Sequence, residues 1–262
     1  MRNRLDLELV KRGLARSRES AQSLIESGVV LLKGIPASKS STQVNPDDSI
    51  LIAKEKNDFV SRGGQKLFGA LRAFPEIEIA GISALDAGAS TGGFTDVLLR
   101  DGAAKVYAVD VGYGQLAWEL QKDNRVVVID RKNIKDLQLS EIGSPVDLVV
   151  ADLSFISLRS VLKSLIPLAK PLANFLLMVK PQFEVGKENI GSGGVVRDPM
   201  LRFEAVKSVA DTAFALGLGV KGVVASSLPG PSGNVEYFLW LKAGAPALDN
   251  QLLLNAIAKG PE

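Results

Sequence analysis

From Phe59 onward the sequence repeats one pattern, a short apolar run followed by a turn and then a stretch of helical period. "ISALDAG", "KVYAVD", "RVVVID", "VDLVVAD", "NFLLMVK", "VKGVVASS" and "EYFLWLK" are near-continuous apolar runs, and helical stretches beginning with "GGQKLFGALRAF" lie between most of them. A sheet with one wet face would alternate apolar and polar residues, whereas runs this apolar belong to strands covered on both faces. The pattern predicts an α/β fold: a doubly wound, mostly parallel, Rossmann-like sheet with helices on both sides.

The first fifty or so residues follow another rule. "RLDLELVKRG" places Leu5, Leu9 and Val10 on one helical stripe and ends at Gly13, suited to a helix C-terminus. "SRESAQSLIESG" starts with Ser17, a natural N-cap, and stops at Gly28. "VVLLKGIP" and "DSILIA" read as strands. The expected division is a small α+β domain over 1–54, a polar linker over 55–60, the large domain over 61–245, and a C-terminal tail over 246–262 whose last ten or so residues fray.

Charge separates the two parts. Residues 1–60 hold ten Lys or Arg against eight Asp or Glu, and the remainder holds 21 of each, so the net +2 lies wholly in the front segment. Clustered cations near a chain end attract phosphate, although on charge alone a solvated helix face is the commoner outcome of so short a run. The chain has no Cys and no His, which removes thiol nucleophiles, thiolate metal sites and the commonest general base. Catalysis is left to Lys, Asp, Glu, Tyr or Ser. No run is long and apolar enough to span a bilayer, and no export signal precedes the fold, so the expected location is cytoplasmic.

"ALDAGASTGGFTD" is a strand entering a glycine turn before a helix. A dinucleotide fingerprint wants Gly at 88, 90 and 93, but the glycines fall at Gly88, Gly92 and Gly93 with Ser90 between them. That spacing disfavours a diphosphate. Asp86 at the strand tip suits an ammonium, with Ser90, Thr91 and Phe94 completing the turn. The next strand ends at Asp110 and Val111, where an acidic side chain can take ribose hydroxyls. The third ends at Asp130, with Asn133 beyond it, in place for an adenine edge. S-adenosylmethionine has an ammonium, a ribose and an adenine for these three tips; a nicotinamide enzyme with a divergent fingerprint is the alternative.

Asp152 closes the fourth strand and Lys180 the fifth, so both are expected in the crevice above the carboxyl ends of the sheet, where Asp152 also borders the cofactor. A lysine ending a buried strand just before Pro181 can serve as a base where histidine is lacking. Lys66 and Glu236 are weaker signals alone, a surface residue or ion-pair partner being the favoured isolated reading of each. Phe155 and Phe183 are candidates to stack on a target base, with core packing the favoured reading for both.

Two resemblances sharpen these readings. The front segment resembles the small RNA-binding domain first described in a small-subunit ribosomal protein, which implies RNA contacts from Arg4, Arg16, Arg18 and Lys33. "FVSRGGQKL", "LDAGASTGGFTD", "VDLVVADLSFISL", "MVKPQFEVGK", "GGVVRDP" and "GNVEYFLWL" together resemble the TlyA, or hemolysin A, family, whose second domain is similar to FtsJ-type ribose methyltransferases. The resemblance implies a Lys66, Asp152, Lys180, Glu236 tetrad, S-adenosyl-L-methionine as cofactor, no metal, and the 2′-hydroxyl of cytidine in ribosomal RNA or ribosomal subunits as target. Ser192 stands where that family often has lysine, and Asp130 where it usually has glutamate. A membrane-active hemolysin and an RNA-binding protein with an inactive methyltransferase domain are the rival readings.

Overall fold

A computed structural model describes residues 3–15, 17–26, 29–52 and 59–261. The chain divides into two compact units, Met1–Asp58 and Phe59–Glu262.

In the first unit, β1 (Asn3–Arg4) leads into α1 (Leu5–Lys11), followed by α2 (Arg18–Glu26), β2 (Val30–Leu32), β3 (Ile35–Pro36), β4 (Gln43–Val44) and β5 (Ile50–Ile52). The expected stripe is present, with Leu5 and Leu9 fully buried against Ala21, Ile25, Val30 and Val44. Gly13 ends α1 at φ +71°, and Ser17 Oγ accepts from Ser20 N–H at 3.1 Å to start α2. β2 pairs antiparallel with both β3 and β5, and the two-residue β1–β4 pair, too short to leave a sequence pattern, was not foreseen.

The second unit starts earlier than the expected linker allows. The Phe59 ring lies 5.6 Å from that of Phe68 with the Arg100 guanidinium 4.9 Å from its centroid, and Val60 N–H donates to Asp96 at 2.9 Å. Linker residues 55–58 lie outside the described residues. The elements are α3 (Arg62–Ala73), β6 (Ser83–Ala87), α4 (Gly93–Arg100), β7 (Lys105–Val109), α5 (Trp118–Gln121), β8 (Val126–Ile129), α6 (Leu139–Ile142), β9 (Val146–Ala151), α7 (Leu162–Leu165), β10 (Ala169–Val179), α8 (Pro181–Glu184), α9 (Pro199–Ala215), β11 (Leu218–Ala225), β12 (Tyr237–Ala243) and α10 (Asn250–Ala258).

The sheet order is β11-β12-β10-β9-β6-β7-β8. β8, β7, β6, β9 and β10 run parallel, while β12 is antiparallel to both β10 and β11. Each face of the sheet carries its own apolar cluster, as two-sided burial requires. The order reverses between β6 and β9, and such a switch point leaves a crevice at the carboxyl ends of the strands. The tail is not frayed through residue 258. Asp249 caps α10 by accepting from Gln251 N–H at 2.7 Å, and Leu253 and Ala256 are buried. Among the described residues, no helix is long and apolar enough to cross a membrane.

Candidate active site

At the switch point the backbone is shaped by two glycine-containing turns. Gly88 leaves β6 at φ +86°, and a Cβ there would stand 2.7 Å from the carbonyl oxygen of Asp152 at the end of β9. The two strand ends therefore meet only because residue 88 lacks a side chain. Ser90 takes φ +48°, an unfavourable value for a residue with a Cβ, and is held there by its N–H donating to Asp110 Oδ2 at 2.8 Å. The other oxygen, Asp110 Oδ1, accepts from Gly112 N–H at 2.7 Å. One carboxylate thus fixes the turns after β6 and β7 together.

Beside these turns lies a cavity of about 480 Å³, lined by Gly88, Ser90, Val109, Asp110, Val111, Gln115, Lys132, Asn133, Ile134 and residues 152–156. That volume suits a cofactor-sized molecule. A hollow of about 100 Å³ shares Gly88, Ser90 and Asp152 with it and extends along Ser61, Gly63, Thr91, Gly93 and Phe94.

Two lysine–carboxylate pairs stand at this end of the sheet. Lys180 Nζ lies 2.6 Å from Asp152 Oδ1 and donates to Ser154 Oγ at 2.9 Å; its side chain is only 11% exposed. The contact with Asp152 is an ion pair whose angle falls outside hydrogen-bond geometry, so the directed bond of the amine goes to Ser154. Lys66, on α3, reaches Glu236 Oε2 at 2.5 Å, with both residues buried. Strand register brings the two pairs to one edge. Val179 opposes Tyr237 in the antiparallel β10–β12 ladder, so Lys180 and Glu236 follow as the next facing positions.

Residues 59–243 match the FtsJ-like methyltransferase family and residues 3–50 the S4 domain. A protein of Mycobacterium tuberculosis named 16S/23S rRNA (cytidine-2′-O)-methyltransferase TlyA is 54% identical over 267 residues, covering 99% of both chains. This chain belongs to the TlyA family of FtsJ-like methyltransferases. A Brachyspira hyodysenteriae relative named Hemolysin A is 35% identical over 89% of this chain and 97% of its own. A solved structure from Streptococcus thermophilus, named for the hemolysins, superposes with a TM-score of 0.75 at 34% identity, covering 98% of this chain and 95% of that one.

Within this family member the sequence-derived residues separate. Gly88, Ser90, Asp110, Val111, Asn133 and Asp152 line the larger cavity, and Thr91, Gly93 and Phe94 the smaller hollow. Asp86 lines neither. It is fully buried behind the turn, where Oδ2 accepts from Thr95 N–H at 2.9 Å and Thr95 Oγ1 at 2.7 Å, while Oδ1 has no hydrogen-bond partner. Burial pushes its carboxyl up to about 7, against the Thr95 bonds and helped by the charges of Asp152 and Asp110. Gly92 faces away, packed on Leu116 and Leu120. Asp130 is also set back, its Oδ2 accepting from Gly114 N–H at 2.8 Å.

The favoured core reading of Phe155 is wrong. The ring is 92% exposed at the cavity mouth, on a backbone at φ +63°, and lies 5.3 Å from the half-buried ring of Phe183. Gln115, Lys132, Ile134 and Ile156 were not foreseen as lining residues, because they lie in irregular connections that carry no periodic signal.

In the first unit, Arg4 and Arg18 converge on one carboxylate. Asp6 is fully buried and accepts from Arg4 Nη2 and Arg18 Nε, both at 3.0 Å. The Arg4 bond, with those from Arg18 and Gln22, holds its carboxyl well below the usual range despite burial. Lys33 stands exposed in the β2–β3 turn, paired with Asp48 at 2.9 Å. Arg16 lies outside the described residues.

Proposed function

We infer that this chain transfers a methyl group from S-adenosylmethionine to the 2′-hydroxyl of cytidine in ribosomal RNA. The observation that carries this reading is the Lys180 amine held by Asp152 and Ser154, both of which line a cofactor-sized cavity. The full-length likeness to the M. tuberculosis methyltransferase supports the same target.

The cavity fits the cofactor on its own chemistry. Its carboxylates, Asp110 and Asp152, suit a cationic ligand, its apolar wall of Val109, Val111, Ile134 and Ile156 suits an adenine, and a Cβ at Gly88 would fill the turn. Asp110, with both oxygens already oriented by backbone N–H groups, keeps lone pairs for ribose hydroxyls. When bound, S-adenosylmethionine supplies an electrophilic methyl carbon. The chain's own task is to hold a ribose hydroxyl in line and take its proton. Lys180 Nζ first gives one proton of its resting ammonium to solvent and then accepts that of the hydroxyl, Asp152 stabilises the ammonium that re-forms, and Ser154 fixes the amine's direction. Lys66 and Glu236 are buried and mutually neutralised, so they position the neighbouring strand ends without adding net charge. Phe155 offers an exposed face for a base turned out of its stack. Arg4, Arg18 and Lys33 supply phosphate contacts on the small unit.

The test is to incubate the protein with labelled S-adenosylmethionine and each purified ribosomal subunit from a deletion strain, then map the label. The expected product is a 2′-O-methylated cytidine, with the rate lowered by roughly 10²–10⁴ in Lys180→Ala while cofactor affinity is kept. Label on a base atom would overturn the assignment.

A further inference from the structure

Glu184 takes no part in the scheme above, yet it is among the most completely bonded carboxylates in the molecule. It closes α8, four residues after Lys180, with its side chain 1% exposed. Oε2 accepts from Ser157 Oγ at 2.6 Å and Arg159 Nε at 3.2 Å, and Oε1 accepts from Leu158 N–H at 2.7 Å. Its carbonyl oxygen accepts from Arg159 Nη2 at 2.9 Å. Every one of these partners lies in the segment that follows β9 and carries Ser154 and Phe155.

That segment needs an outside restraint. Phe155 combines a left-handed backbone with an almost fully exposed ring, so neither local conformational preference nor core burial holds it in place. The short α8 turn makes three successive contacts with it: Lys180 with Ser154, Phe183 with Phe155, and Glu184 with Ser157, Leu158 and Arg159. The Glu184 contacts fasten the loop's base, where Leu158 enters the core, while Ser154 and Phe155 project from its tip.

We propose that Glu184 is a positioning residue for methyl transfer, clamping the 153–158 loop so that Ser154 and Phe155 meet the target nucleotide. This rests on the methyl-transfer reading above. Burial raises the Glu184 carboxyl above its ordinary range, opposed by its bonds to Ser157, Leu158 and Arg159.

A double-mutant cycle tests it. Methyl transfer at saturating cofactor is measured for wild type, Glu184→Gln, Phe155→Ala and the double variant, with cofactor affinity followed by calorimetry. Glu184→Gln keeps size and one acceptor but sets an amide N–H₂ against the Arg159 cation. The expected result is a fall in kcat/KM for RNA of about tenfold, a smaller fall in cofactor affinity because Leu153 and Ile156 of the same loop line the cavity, and little further loss of kcat/KM when the change is added to Phe155→Ala. Equal losses in both backgrounds would overturn the proposal. Amide hydrogen exchange provides a measurement that needs no activity: residues 153–158 exchange faster in Glu184→Gln while β9 and β10 stay protected, and unchanged exchange in the loop would also overturn it. If Glu184→Gln does not fold, Arg159→Ala removes one arm from a half-exposed position and is expected to act in the same direction. A wild-type chain that left ribose unmethylated would sink the parent reading, and the exchange measurement would then decide the clamp by itself.

Discussion

Asp86 and Lys180 both end strands of one sheet, but their surroundings give them different work. Lys180 was legible because a lysine that closes an apolar run immediately before proline has nowhere to go but the crevice. Asp86 was legible only as a strand-tip carboxylate. Whether such a side chain turns into the cavity or back under the following helix depends on Thr95, nine residues on, and spacing alone does not encode that choice. Its burial has a measurable consequence. With a folded-state value of about 7 against about 4 in the unfolded chain, the folded protein keeps a proton that the unfolded chain has released. Stability then falls as pH rises through that window, by about 1.4 kcal/mol per pH unit at most, and levels off above it. Asp86→Asn removes the slope. Melting temperatures of the variant are expected to gain on wild type from about pH 4 to about pH 7 and then run parallel; a constant offset across the window would show that the carboxyl is ionised in the fold.

At the scale of elements, all seven strands of the large sheet were legible, since buried runs of this length have few alternatives. The direction of β12 was not. Apolar character on both faces reports burial, and a strand can be buried equally well in either direction. The turn after β6 was legible as a turn, but the reason for its glycine appears only with β9 beside it. Gly88→Ala forces a Cβ onto the Asp152 carbonyl at a backbone angle that alanine disfavours. The expected cost is about 1–3 kcal/mol, visible as a lower melting temperature and at least a several-fold loss of S-adenosylmethionine affinity in calorimetry. Undiminished affinity would mean that the cofactor lies elsewhere. The loop after β9 was the least legible part of the site. Its exposed phenylalanine looks like a core residue in sequence, and only α8 shows what holds it.

For the molecule as a whole, the uneven charge distribution located the small basic unit, and its helical stripe gave the core. The arginines proved less free than the charge count implied, because the buried Asp6 orients Arg4 and Arg18 together. Arg18→Ala is expected to weaken binding to ribosomal RNA and to reduce the slope of log affinity against log salt by about 0.7–0.9, without altering cofactor affinity. An unchanged slope would assign Arg18 to the fold alone. The reversed β12 has a consequence of another kind. Because that strand enters from the edge that carries Lys180, Glu236 precedes it, and side chains there alternate sides at every residue. Adding a single residue between Glu236 and Tyr237 would swing the glutamate to the opposite side of the sheet and strand Lys66 with an unmatched charge. Length changes in the connection are therefore tolerable only upstream of Glu236, which makes the spacing of that residue from the strand matter as much as its identity.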